Sequence, residues 1–172
     1  MKLFETDKKE STRTRFKRLL FNFFPAYRST GARVAFIAED FSEVQIKLRL
    51  YWRTRNYVGT VFGGSIFGAL DPIHMLQLIK LLGNDYVVWD KEANVRFVRP
   101  IAKTVYARFL VTEELLNEIR HEVAEKKEIH RVMHSQFEDR QGKVYATVDK
   151  TIYIASKAFY DQKRKEKASR KV

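Results

Sequence analysis

The sequence predicts an α+β protein, a six-stranded antiparallel sheet wrapped around a central apolar helix. Two observations carry this. Between Gly63 and Leu82, apolar residues including Ile66, Phe67, Leu70, Ile73, Leu76 and Ile79 surround nearly the whole helical circumference before Gly83 stops it, so the segment needs a cover. Stretches with a period of two flank it, two before and four after, and a sheet is the other element with enough apolar face to supply that cover.

Along the chain, Phe16, Leu19, Leu20, Phe23 and Phe24 fall at helical spacing among Arg13, Lys17 and Arg18, and Pro25 stops the pattern. This predicts an amphipathic helix over 13–24. It is taken as a lid packed on the domain in preference to a basic helix on a membrane surface. Alternation begins at Ala32 and resumes from Val44 to Leu50, with the short link Ala38–Glu43 making a hairpin. Further strands are expected at Asn94–Val98, Val105–Val111, Ile129–Phe137 and Val144–Ile154, the last two joined by turn-forming residues 138–142. Between the fourth and fifth strands, Thr112 caps a short surface helix striped by Leu115, Leu116, Ile119 and Val123.

A chain of 172 residues suits one domain with its own core. Three segments follow: an N-terminal helix and linker (1–31), the sheet-and-helix domain (32–156) and a basic C-terminal tail (157–172). The absence of cysteine excludes a disulfide framework, a thiolate metal site and a cysteine nucleophile, and fits a cytoplasmic location. No apolar run approaches a membrane span, and the charged start lacks the apolar region of a signal peptide. The net charge is +12, but residues 1–18 and 157–172 supply +4 and +5 of it, leaving a nearly balanced body. That argues against a specific nucleic-acid partner and makes the tail beyond Tyr160 a solvated, mobile end. Membrane contact by the basic ends is the less favoured reading.

Polar residues on a buried helix carry the chemistry. Asp71, His74 and Gln77 recur at intervals of three and share a face. In a water-filled crevice, Asp71 can act as general base or nucleophile. Asp71-Pro72 is equally the signature of a helix start, with Asp71 as a cap; a helix beginning near Gly64 must instead kink at Pro72. Upstream, Gly63-Gly64 leads into the helix, where free amides can stabilise charge on a carbonyl oxygen or simply form a flexible turn.

The run Asn56-x-x-Gly59-Thr60-x-Phe62-Gly63-Gly64-x-Ile66-Phe67-x-x-x-Asp71 resembles the loop-and-helix motif of the hotdog-fold acyl-CoA thioesterases, in particular their phenylacetate-pathway branch. It covers residues 56–71 without a gap, and the element order extends the resemblance over about 33–155. The resemblance implies a thioesterase in which Asp71 activates water or attacks the thioester, Gly64 binds its carbonyl oxygen through the amide, and Asn56 orients the reacting groups. It also implies a homodimer in which the strand after the helix pairs with its symmetry mate, so that each site draws on two chains, and a tetramer of such dimers. Coenzyme A enters as part of the substrate, with no separate cofactor and no metal. The motif's histidine is replaced by Phe62, and His74 is the residue placed to compensate.

Phe62 and Phe67, with Tyr57 and Val61, suit an acyl or aryl group; Thr60, Gly63 and His74 are further substrate-binding candidates, and Arg96 and Arg99 with Lys103, or Arg53 and Arg55, are placed to meet the phosphates of coenzyme A. Two other functions remain. A non-catalytic acyl-CoA or lipid-binding module is suggested by Phe62. A hotdog hydratase is echoed by Pro72-Ile73-His74, although Ala69-Leu70 supplies no acid.

Overall fold

The computed structural model describes residues 4–169. In chain order the elements are α1 (Thr12–Phe23), α2 (Pro25–Ser29), β1 (Ala32–Ile37), β2 (Glu43–Leu48), α3 (Gly63–Leu70) and α4 (Ile73–Leu82). They continue with β3 (Tyr86–Phe97), β4 (Val105–Leu110), α5 (Glu113–Lys126), β5 (Glu128–Glu138), β6 (Val144–Ser156) and α6 (Lys157–Ser169). The strands form one six-stranded antiparallel sheet in the order β1-β2-β4-β5-β6-β3. The long third strand therefore lies on an edge beside the last.

The sheet curls around α3 and α4, the arrangement expected of a hotdog fold. Ile66, Ala69, Leu70 and Ile73 are buried against β1, β2, β4 and β6 through Val34, Ile46, Phe109 and Val148. A second cluster joins Leu78 and Leu82 of α4 to Leu116, Ile119 and Val123 of α5 and to Ile152 and Ile154. Thr112 caps α5 as its sequence predicts, accepting a bond from the Leu115 amide at 3.3 Å. Contrary to the expectation that no apolar run approaches a membrane span, Gly63–Leu82 is long and apolar enough to cross one, but it is interrupted at Asp71-Pro72 and half of it is buried in this core.

Three expectations need correction. The third strand starts at Tyr86, eight residues before Asn94. Its register shifts between Asp90 and Glu92, and this bulge breaks the alternation that would have revealed the strand in the sequence. The C-terminal segment through residue 169 is the helix α6, exposed over most of its length but held to the sheet at two points. Tyr160 of α6 packs edge-on against Trp89, with ring centroids 5.2 Å apart, and the Lys163 ammonium sits 2.6 Å from Glu128. Residues 170–172, the end of the expected tail, lie outside the described residues.

The third correction concerns α1, which is turned around. Its buried residues are Thr14 and Asn22, whereas Phe16, Leu19, Leu20, Phe23 and the following Phe24 face outward, with Phe16 60% and Phe23 64% exposed. Ser11 and Thr14 form a capping box that starts the helix. Asn22 holds it to the sheet: its side-chain amide donates to the Val34 carbonyl at 2.9 Å and accepts from the Val34 amide at 2.8 Å. Val34 lies beside the irregularity in β1, where the ladder leaves backbone groups in need of partners. Asn22 and the half-buried Phe21, which packs against the core, thus form the inward face, and the exposed apolar stripe does not form a lid.

His74 is also part of the core. Its ring meets Phe109 edge-on at 4.9 Å, its Nε2 lies 3.3 Å from the His134 carbonyl, and among the described residues its Nδ1 has no partner. Burial pushes its pKa down to about 4, so the native protein holds it neutral.

Two outcomes are expected. Asn22→Ala leaves both Val34 groups unpaired and should lower unfolding free energy by about 2 kcal/mol in urea titrations, with α1 loosened. Because His74 is harder to protonate folded than unfolded, its contribution is fully present above about pH 6.5 and is lost as pH falls toward 4. The urea midpoint should therefore fall more steeply with acid in the wild type than in His74→Gln across that interval.

Candidate active site

The break in the central helix places the candidate acid. Pro72 has no amide hydrogen to continue the ladder, so α3 ends at Leu70 and α4 begins at Ile73. Asp71 closes α3, its amide donating to the Phe67 carbonyl at 2.9 Å, and its carboxylate caps neither helix. The helix is interrupted at Asp71-Pro72, as a helix running through that pair requires, and α4 starts just beyond without a cap from the Asp71 side chain.

The carboxylate of Asp71 meets a lysine that sequence reasoning missed. Lys150 Nζ lies 2.9 Å from Asp71 Oδ1 and 2.5 Å from Asp90 Oδ2, and it also contacts the Asp71 carbonyl oxygen. The Lys150 side chain is 1% exposed, whereas that of Asp71 is 42% exposed. An ammonium buried on one side and a solvent-reachable carboxylate on the other make Asp71 the outward end of a charged network.

Asp90 comes from the bulged part of β3, opposite Ile152. Burial raises its pKa, and the nearby Asp71 charge adds to this against the pull of Lys150. Among the described residues its Oδ1 has no hydrogen-bond partner. Lys150 was legible in principle. Ala146, Val148, Lys150, Ile152 and Ile154 alternate along β6, and all five are buried. A lysine at an inward, apolar position is the anomaly that marks the site.

The loop before α3 forms a second feature. The Asn56 side chain is spent on the loop itself, donating to Thr60 Oγ1 at 3.0 Å and accepting from the Thr60 amide at 2.9 Å. Gly59 allows the tight reversal with φ +84°. Asn56, Thr60, Gly63, Ile66, Phe97 and Arg99 line a groove of about 350 Å³. Asp71, Arg96 and Phe67 are not among its lining residues; Arg96 is exposed on β3, and Phe67 packs against the core.

Gly63 and Gly64 occupy the first turn of α3, where amides lack carbonyl partners within the helix. Both are closely overlaid. A Cβ on Gly64 would stand 2.3 Å from the Phe62 ring, and one on Gly63 would stand 3.1 Å from Phe97. Seven residues of helix, about 10 Å of rise, separate Gly64 from Asp71. A single thioester carbonyl cannot touch both within one chain.

A separate cavity, of about 190 Å³, lies between α1, the β1–β2 hairpin and α4. Phe21, Ile37, Phe41, Ile73 and Leu76 give it apolar walls, and Lys17 and Lys80 also line it. Among the described residues, no group of three or more His, Cys, Asp or Glu could hold a metal ion.

Residues 12–154 match the family described as "Domain of unknown function (DUF4442)". No curated protein matches the sequence. Solved structures resemble the fold. One is a Pseudomonas aeruginosa protein of unknown function, given as a probable thioesterase, at TM-score 0.72 and 19% identity, covering 86% of this chain and 98% of that one. Another is a Haemophilus influenzae thioesterase at TM-score 0.61 and 15% identity, covering 88% and 96%. At these identities the likeness establishes the hotdog fold. Since the match spans most of the chain, from α1 through nearly all of β6, this protein belongs to the DUF4442 family.

Proposed function

We propose that the protein hydrolyses a fatty acyl or aryl thioester of coenzyme A, with Asp71 as the base or nucleophile. The observation that carries this is the position of Asp71: solvent-reachable at the break of the central helix and held from behind by a buried lysine. As a base, Asp71 removes a proton from water while the water oxygen bonds to the thioester carbonyl carbon. The tetrahedral intermediate then expels the thiolate, which takes up the proton that Asp71 removed from water, leaving free acid and coenzyme A and restoring the carboxylate. Backbone amides at Gly63 and Gly64 would bear the charge on the carbonyl oxygen.

The 10 Å scale of the Gly64–Asp71 separation favours a site shared between protomers, in which one chain supplies the glycine amides and its partner supplies Asp71. The exposed edge of β3 supports a homodimer built by pairing that strand with its copy, and two such dimers would make a tetramer. Arg99, in the groove, is the better of the two arginine candidates for coenzyme A phosphates. A second reading, an acyl-CoA or lipid-binding module without turnover, is favoured by the Phe62 ring lying over Gly64 and by the apolar cavity beside α4.

Release of coenzyme A thiol from short, long and aromatic acyl-CoAs decides between them. Wild type should turn over at least one member, and Asp71→Asn should reduce kcat/KM by about 100-fold or more with fold and assembly retained. Normal turnover by Asp71→Asn would sink the assignment; binding without turnover in wild type would establish the second reading. Lys150→Met should reduce kcat/KM at least about tenfold, because Asp71 loses the group that orients it. Thermal melts run alongside will show how much of that loss is stability.

A further inference from the structure

We infer that α1 is a docking element for an anionic lipid bilayer, seated in the interface with its outward face in the acyl region. The observation is the inversion of this helix. A helix packed on a domain ordinarily turns its apolar stripe inward, yet here Thr14 and Asn22 are buried while Phe16, Leu19, Leu20 and Phe23 stand in solvent. Phe24, just past the helix, extends the same exposed apolar surface. Several large side chains exposed side by side form a patch that calls for a partner.

The charges around the stripe choose the partner. At 100° per residue, Leu19, Phe23, Phe16 and Leu20 occupy an arc of about 100°, with Arg13 and Lys17 following on one side and Arg15 on the other. Arg13 and Arg15 are exposed, and α1 contains no acidic residue. Glu10, at its start, is already spent on Arg18 at 2.7 Å. A second copy of the helix would bring the same cations and no carboxylate to meet them. A bilayer with anionic headgroups receives the apolar arc in its hydrocarbon boundary and neutralises cations on both flanks.

The apolar residues that make the contact are not the ones that hold the helix in place. Asn22, bonded to Val34, and Phe21, packed against the core, anchor α1 to the protein, so the lipid-facing residues can be changed without removing the anchor. The inference does not depend on thioester hydrolysis, and its test uses no acyl-CoA.

Sedimentation of the full chain with vesicles tests it, comparing phosphatidylcholine alone with phosphatidylcholine mixed with phosphatidylglycerol. Wild type should bind the mixed vesicles, bind neutral ones less, and release as salt rises. Phe16→Ser/Leu20→Ser/Phe23→Ser should weaken binding at least about tenfold at unchanged oligomeric mass. Arg13→Gln/Arg15→Gln, which alters only exposed side chains, should lose most of the preference for the anionic vesicles. Failure of wild type to bind mixed vesicles, or unchanged binding by the serine variant, overturns the inference. So does dissociation of a larger assembly by the serine variant, which would make the face a contact between copies.

Discussion

An ammonium group in the middle of an apolar sheet is stable only if charged partners reach it. Lys150 stands at that position, and the elements around it are arranged to supply those partners. The helix breaks at Asp71-Pro72 so that a carboxylate and a main-chain carbonyl can turn toward β6. The edge strand bulges after Asp90, which brings a second carboxylate within 2.5 Å. Two carboxylates around one cation share it unequally. Asp90, the less exposed, carries the raised pKa, while Asp71 is left facing water. Fold and candidate chemistry therefore meet in one constraint: the charge that stabilises the broken helix is also the one that presents the acid.

The two ends of the candidate site differ in character. At Asp71 the polar groups are paired and partly solvated, the setting of a working carboxylate. At the start of α3 the groups that would receive a carbonyl oxygen lie under aromatic rings, Phe62 over Gly64 and Phe97 against Gly63. Asn56, upstream of that turn, is consumed by the loop it closes.

The N-terminal helix follows a different logic from the core. Burial of Asn22 satisfies both backbone groups of Val34, and that requirement fixes the helix face independently of its apolar content. Hydrophobic pattern is a statement about which residues seek to leave water, not about where they find cover. In α3 and α4 the cover is the protein's own sheet; in α1 that sheet covers Phe21 but not Phe16, Leu19, Leu20 and Phe23.

Much of this was legible in the sequence because it rests on period and local chemistry. The apolar helix, its kink at Pro72, the hairpin at 38–43, the cap at Thr112 and five strands close to their observed bounds follow from side-chain alternation and turn residues. Asp71 was legible too, as a carboxylate in an otherwise apolar segment. What only the tertiary structure decided was which groups share a neighbourhood. Lys150 lies 79 residues from Asp71, and Asp90 was hidden by a bulge that broke the strand's period. The exposure of Phe16 and Phe23, the burial of His74 and the docking of Tyr160 on Trp89 were likewise set by partners far along the chain. The sequence determined each segment's own preferences, since those are local; which preference prevailed depended on contacts that exist only once the sheet has closed around the helix.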